Sequence, residues 1–143
     1  MKIRKAEIKD IGGIAKIEEN SGYHKKKFNF AEMIKNLFQD KNELIYVAVI
    51  NKKIVGYRSF NKKGNLADYG YLAITKKFQG KGIGEKLLLY SIVKAKEIGC
   101  KRMIISVRNN NFNAIALYNK LKFTIISSKK EGNITKLIME KRL

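Results

Sequence analysis

Leu72-Ala73-Ile74-Thr75-Lys76-Lys77-Phe78-Gln79-Gly80-Lys81-Gly82-Ile83-Gly84-Glu85 is the stretch on which the reading of this chain turns. It begins as a short apolar strand, passes glycines at alternate positions, and enters a run with helical periodicity. The first turn of a helix presents backbone N–H groups without intrahelical partners and the positive end of the helix dipole. Glycine lets a ligand's phosphates approach that backbone without meeting a Cβ. Lys81, with Lys76 and Lys77 nearby, adds positive charge. The plain alternative is a glycine-rich turn before an ordinary helix. Spacing excludes two other phosphate patterns. A G-x-x-x-x-G-K-[ST] loop is absent. A G-x-G-x-x-G fingerprint fails because Glu85 stands at its third glycine, and Lys101-Arg102 lie near the position that needs an acid.

Outward from this turn, the chain alternates strand and helix patterns. Met1 to Ala6 reads as a short strand. Asp10 is placed to cap a helix carrying Ile11, Ile14, Ala15 and Glu18, which stops at Asn20-Ser21-Gly22. A second helix from Phe28 to Phe38 sets Phe30, Ile34, Leu37 and Phe38 on one side. Leu44 to Ile50 and Ile54 to Phe60 form a hairpin about Asn51-Lys52-Lys53. After a turn at Asn61 to Asn65, Leu66 to Ile74 reads as one long strand. Gly82 to Ile98 is a helix with Ile83, Leu87, Leu88, Val93 and Ala95 inward, stopped by Gly99. Arg102 to Val107 is a buried strand, and Asn113 to Leu121 a short helix. Phe123 to Ser127 and Ile134 to Met139 are the last strands. The hairpins imply antiparallel pairing, and the strand-helix-strand passage from Leu66 to Val107 implies one parallel crossover pair. The expected fold is α/β, a mixed, mostly antiparallel sheet flanked by helices, in one domain over 1–143.

The chain has 143 residues, one cysteine and no proline, with 31 Lys+Arg against 12 Asp+Glu, a net charge of +19. A lone Cys100 excludes an intrachain disulfide framework and reads as a structural thiol. A reducing, cytoplasmic setting is expected. The N-terminus carries charge where a secretory signal needs an apolar run, and no run approaches a membrane span. No metal site is expected. The charge suggests a polyanion partner. However, lysine dominates over arginine, isoleucine and asparagine are abundant, and lysine pairs at Lys52-Lys53, Lys62-Lys63 and Lys129-Lys130 suit solvated turns. A generally basic surface without a specific nucleic-acid face is the expectation, with non-specific polyanion binding at low salt.

A second constellation lies downstream: Asn111-Phe112-Asn113-Ala114-Ile115-Ala116-Leu117-Tyr118-Asn119-Lys120-Leu121-Lys122-Phe123. Together with Gln79, Gly82 and Gly84, which match a Q/R-x-x-G-x-G/A cofactor turn, it resembles the GCN5-related N-acetyltransferase superfamily. Asn111, Ala114, Leu117, Tyr118 and Phe123 match that family's N-x-x-A-x-x-L-Y-x-x-x-G-F helix, and the element order agrees over nearly the whole chain. Within the family, the chain looks most like the ribosomal-protein alanine acetyltransferases. It departs at Lys122, where glycine is usual, at Lys76, where proline is frequent, and at Ser106, where those enzymes carry the glutamate expected as base.

The resemblance implies acetyl-coenzyme A as cosubstrate. The N–H groups of Gln79, Gly80, Lys81, Gly82, Ile83 and Gly84 would bind its pyrophosphate. The backbone of Leu72, Ala73 and Ile74 would pair with its pantetheine arm, one N–H polarising the thioester carbonyl. Asn111 would hold the pantetheine or thioester end. Tyr118 would be the catalytic residue, stabilising the departing sulfur. A thiol pKa of about 8.5 against about 10 for tyrosine makes full proton donation modestly uphill. The bland reading of Tyr118 is core packing. Ser106 cannot serve as base, which leaves Asp68, Glu18, Glu19 and Glu43 as candidates, each also readable as a plain surface or packing residue. His24, in His24-Lys25-Lys26-Lys27, reads as part of a solvated loop. The expected acceptor is a primary amine, either a protein N-terminal α-amine or, alternatively, a small-molecule amine or lysine side chain. The expected state is monomer or homodimer. The rival from another class is a non-catalytic basic module that binds nucleic acid.

Overall fold

The computed structural model describes residues 1–20 and 29–143. The helix stop at Ser21-Gly22, the His24-Lys25-Lys26-Lys27 loop and the helix start at Phe28 lie outside them. The chain divides into two compact units, Met1–Asn61 with Gly70–Val93, and Lys62–Tyr69 with Lys94–Leu143.

In the first unit, strands β1 (Lys2–Lys5), β2 (Glu43–Ile50), β3 (Lys53–Lys63) and β5 (Leu72–Ile74) pair antiparallel in the order β1-β2-β3-β5. Helices α1 (Ile11–Asn20) and α2 (Phe30–Gln39) bury Ile14, Ile17, Phe30 and Ile34 against Ile45, Val47, Tyr57 and Ala73. The other core cluster packs Ile83 and Leu87 of α3 (Ile83–Glu97) on Ala48 and Val55. The β2–β3 turn holds Asn51 and Lys52 at φ 50° and 65°, the left-handed pair of a tight two-residue hairpin. Asn29 caps α2 by accepting from the Glu32 N–H at 3.0 Å.

The second unit contains β4 (Leu66–Asp68), β6 (Arg102–Arg108), α4 (Phe112–Lys120), β7 (Thr124–Glu131) and β8 (Ile134–Arg142). Here β4 pairs parallel with β6, as the crossover predicted, and β6–β8 and β8–β7 are antiparallel. Gly99, at φ 91°, ends α3, with Gly99 N–H donating to Lys96 O and Cys100 N–H to Ala95 O. Cys100 is buried beyond it, and burial pushes its thiol pKa up.

Several expectations need correction. The single strand expected over Leu66 to Ile74 is two strands, interrupted at residues 69–71. Within the break, Gly70 lies so close to β3 that a Cβ there would sit 1.8 Å from Ser59 O. Val93 does not face inward but is 54% exposed, and Ser91 and Ile92 hold the buried face. At 100° per residue, position 93 falls off the stripe set by 83, 87, 88 and 95. Asp10 does not cap α1. Its carboxylate turns back to Arg4 Nη1 (2.7 Å) and Nη2 (3.0 Å) and to the Glu7 N–H (2.7 Å). Lys129 and Lys130 lie within β7, not at its turn. Among the described residues, no helix is long and apolar enough to cross a membrane.

Candidate active site

The glycine turn is anchored at both ends and open in between. On its strand side, Thr75 N–H donates to Val55 O at 2.8 Å, and Gln79 Nε2 donates to Ile74 O at 2.9 Å. A short 3-10 turn, Lys76–Phe78, follows β5. On the helix side, Ile83 is buried, with Leu72, Ile74 and Phe78 packed against its cluster. Between these anchors Gly80 and Gly82 take φ 77° and 83°, a left-handed backbone that L side chains resist. Both are exposed, and a Cβ built on either would meet nothing within 4 Å. Glycine is therefore needed here for conformation rather than for internal room.

The first backward hydrogen bond of α3 runs from Lys86 N–H to Gly82 O at 3.1 Å. The amides before it belong to the helix mouth, where the dipole is positive. Lys77 and Lys81 lean over the Phe78 ring, with Nζ 5.9 and 5.2 Å from its centroid. An exposed left-handed glycine arch, a helix mouth and flanking lysines suit a polyphosphate. Residues 72–74 and 79–84 thus fall together as one strand-turn-helix of the first unit.

In the second unit, Asn111 and Tyr118 share one side of α4, two turns apart. Asn111 is its N-cap, with Oδ1 accepting from the Ala114 N–H at 3.2 Å. That leaves its amide nitrogen as the group that can donate to a ligand. The sequence reading did not foresee this cap, although Asn before an apolar helix is a recognised signal. Tyr118 is 8% exposed, and its ring lies 5.9 Å from that of Phe123. Phe123 N–H returns to Tyr118 O at 2.9 Å across Lys122, which sits at φ 71°. Glycine's usual place before Phe123 is explained by that angle. Ser106 is exposed on β6.

The four carboxylates that could act as base differ in setting. Asp68 pairs with Lys63 Nζ at 2.9 Å in the second unit. Glu19 is exposed. Glu18, 4% exposed in α1, accepts a hydrogen bond from the Tyr57 hydroxyl. Burial, then the Glu18 charge, pushes the Tyr57 hydroxyl pKa far up. Glu43 opens β2 opposite Asn61, whose Nδ2 donates to Glu43 Oε1 at 3.0 Å and to Asp40 Oδ2 at 2.9 Å. Burial raises the Glu43 pKa, and hydrogen bonds from Asn61 and Ser59 hold it partly back. Tyr57 and Asn61 are thus the hydrogen-bond partners of Glu18 and Glu43, and no sequence reading singled out either residue or Ser59 between them. Their only signal was polar residues at alternate positions of one strand.

The pattern that defines the acetyltransferase (GNAT) family matches residues 14–123. An acetyltransferase of Pectobacterium atrosepticum is 30% identical over 84 residues, covering 59% of this chain and 60% of the relative. A spermine/spermidine N(1)-acetyltransferase of Bacillus subtilis is 41% identical over 51 residues, 35% of this chain and 34% of the relative. The chain thus spans less than two thirds of those two relatives. An N-alpha-acetyltransferase of Saccharolobus solfataricus is 28% identical over 142 residues, 85% of this chain and 78% of that protein. Among solved structures, the ribosomal-protein-S18-alanine N-acetyltransferase of Escherichia coli superposes with TM-score 0.88 at 21% identity, over 99% of this chain and 92% of that one.

Proposed function

The chain belongs to the acetyltransferase (GNAT) family, and from that premise we propose that it is a cytoplasmic N-acetyltransferase carrying acetyl from acetyl-coenzyme A to a primary amine. The observation that carries this is the open left-handed arch at Gly80 and Gly82, leading into the mouth of α3. The amides of Gln79 to Gly84 bind the pyrophosphate. The backbone of Leu72 to Ile74 aligns the pantetheine arm, and one N–H there polarises the carbonyl. The Asn111 amide nitrogen holds the thioester end, and the Tyr118 hydroxyl stabilises the departing sulfur. Residues 1–143 act as one domain, a reading supported by a family pattern that runs through residues of both units.

For the acceptor, we favour a protein N-terminal α-amine. The support is the N-alpha-acetyltransferase relative, which matches over the largest share of this chain among the three, and the fold of the ribosomal-protein-alanine enzyme. A small-molecule amine is the second reading, supported by the local match to a spermine/spermidine enzyme.

The test has two steps. Acetyl-coenzyme A should raise the melting temperature. A thiol-release screen against N-terminal peptides, lysine peptides and small amines should then give turnover with the first class. Turnover only with small amines would move the acceptor assignment. No thermal shift, joined with salt-sensitive RNA or DNA binding, would replace the enzyme by the basic module.

A further inference from the structure

Five residues of the first unit present one continuous polar strip. Along β3, Tyr57, Ser59 and Asn61 occupy alternate positions and so share a face. Ile45 is the register partner of Ser59 and Val47 that of Tyr57, and both lie in the core beneath α1 and α2, which identifies the face. Glu43 stands two residues before Ile45 and opposite Asn61, so it joins the same side. Tyr71 stands two residues before Ala73, another member of that core. The strip is wired as well as aligned. The Tyr71 N–H donates to Ser59 Oγ at 3.0 Å, Ser59 N–H donates to Tyr71 O at 2.8 Å, and Asn61 Nδ2 donates to Glu43 Oε1 at 3.0 Å. Tyr71 directly precedes β5, the strand assigned to the acyl arm.

We propose that the Glu43 carboxylate is the proton acceptor for the incoming amine, an assignment that rests on the function proposed above. The alternatives fail on their surroundings. Asp68 is held by Lys63. Glu18 is enclosed in the core with Tyr57. Glu19 is a surface residue, exposed on α1. Glu43 is partly buried, held by the Asn61 amide at 3.0 Å, and on the same face as Ser59, whose Oγ accepts from the N–H of the residue at the head of β5.

The charges around it are mixed. Asp40, in the turn before β2, raises the Glu43 pKa, and Arg58 of β3 lowers it. Tyr57 and Tyr71 feel the Glu43 charge, and from α1 Glu18 acts on the same two hydroxyls. In the step, one N–H bond of the ammonium breaks and its proton passes to Glu43, directly or through one water. The neutral nitrogen attacks the thioester carbonyl carbon. The C–N bond forms, the C–S bond breaks, and the nitrogen's second proton ends on the thiol. Glu43 then releases its proton to solvent.

The test uses the full chain with the best amine from the thiol-release screen. Glu43→Gln should lower kcat about 10²-fold while melting temperature and calorimetric acetyl-coenzyme A affinity stay at wild-type values. The acid limb of kcat/KM, rising with pH as Glu43 ionises, should vanish. Asn61→Ala removes a donor to the charged form, so that limb should move to higher pH. A readout independent of turnover is carbon-13 NMR titration of the ligand-free chain. One glutamate should titrate above the ordinary range and be missing in Glu43→Gln. A Glu43→Gln enzyme with wild-type kcat and an unmoved limb overturns the assignment and leaves the acetyltransferase reading standing. A wild type that neither binds acetyl-coenzyme A nor releases thiol overturns both.

Discussion

The Tyr57 hydroxyl donates to Glu18 Oε1, tying the middle of β3 to the last turn of α1 across 39 positions of sequence. Both side chains are buried, Tyr57 completely. Tyr57 is also the register partner of Ala73, so the bond supports the strand assigned to the acyl arm.

Removing that hydroxyl should therefore cost stability out of proportion to one oxygen. Tyr57→Phe leaves a buried carboxylate short of a donor, and we expect a loss of about 2 kcal/mol, read by urea unfolding. In an alkaline spectrophotometric titration, Tyr57 should stay protonated until the protein unfolds, since burial and Glu18 both oppose its ionisation. A Tyr57→Phe variant as stable as wild type would show that the bond contributes nothing net.

Acid should weaken the first unit through Asp10. The hydrogen bonds from Arg4 hold its carboxyl below the ordinary range, with the Glu7 N–H assisting against burial. A depressed folded pKa gives stability that is present above the unfolded value of about 3.9 and lost as pH falls through the folded one. Asp10→Asn should lower stability by about 1–2 kcal/mol at neutral pH, and that difference should shrink below about pH 4. Thermal melts of both proteins from neutral to acid pH measure this.

Lys122 sits at φ 71°, where a side chain is strained. Lys122→Gly should stabilise the chain by up to about 1 kcal/mol, less whatever the freer unfolded chain takes back. Denaturant midpoints with unchanged slope are the measurement, and a destabilised variant would show that Lys122 makes compensating contacts.

Tyr118→Phe tests the proposed role of the hydroxyl. The ring and its contact with Phe123 should persist. Turnover should fall about 10²-fold. Unchanged kcat would confine Tyr118 to packing.

Much of the frame was legible in the sequence. The strand-glycine-helix passage, the hairpin at Asn51-Lys52, the parallel β4–β6 pair and the stop at Gly99 all arise from local chemistry: glycine's access to positive φ, helical periodicity and crossover geometry. The break at residues 69–71 was hidden, as was the approach of Gly70 to Ser59 on β3, which is a tertiary contact. Val93 was misplaced because an apolar residue beside a helical stripe looks the same in sequence as one on it. The Asn111 cap was legible but unread.

The sequence by itself determined the left-handed glycine arch and the helix that follows it, because glycine conformation and the amides at a helix start are properties of neighbouring residues. Only tertiary structure sorted the carboxylates, Glu18 into the core with Tyr57, Asp68 against Lys63, and Glu43 onto Asn61. The acidity and reach of a carboxyl group are set by partners brought to it from elsewhere in the chain, and strand register, which no local pattern encodes, chooses those partners.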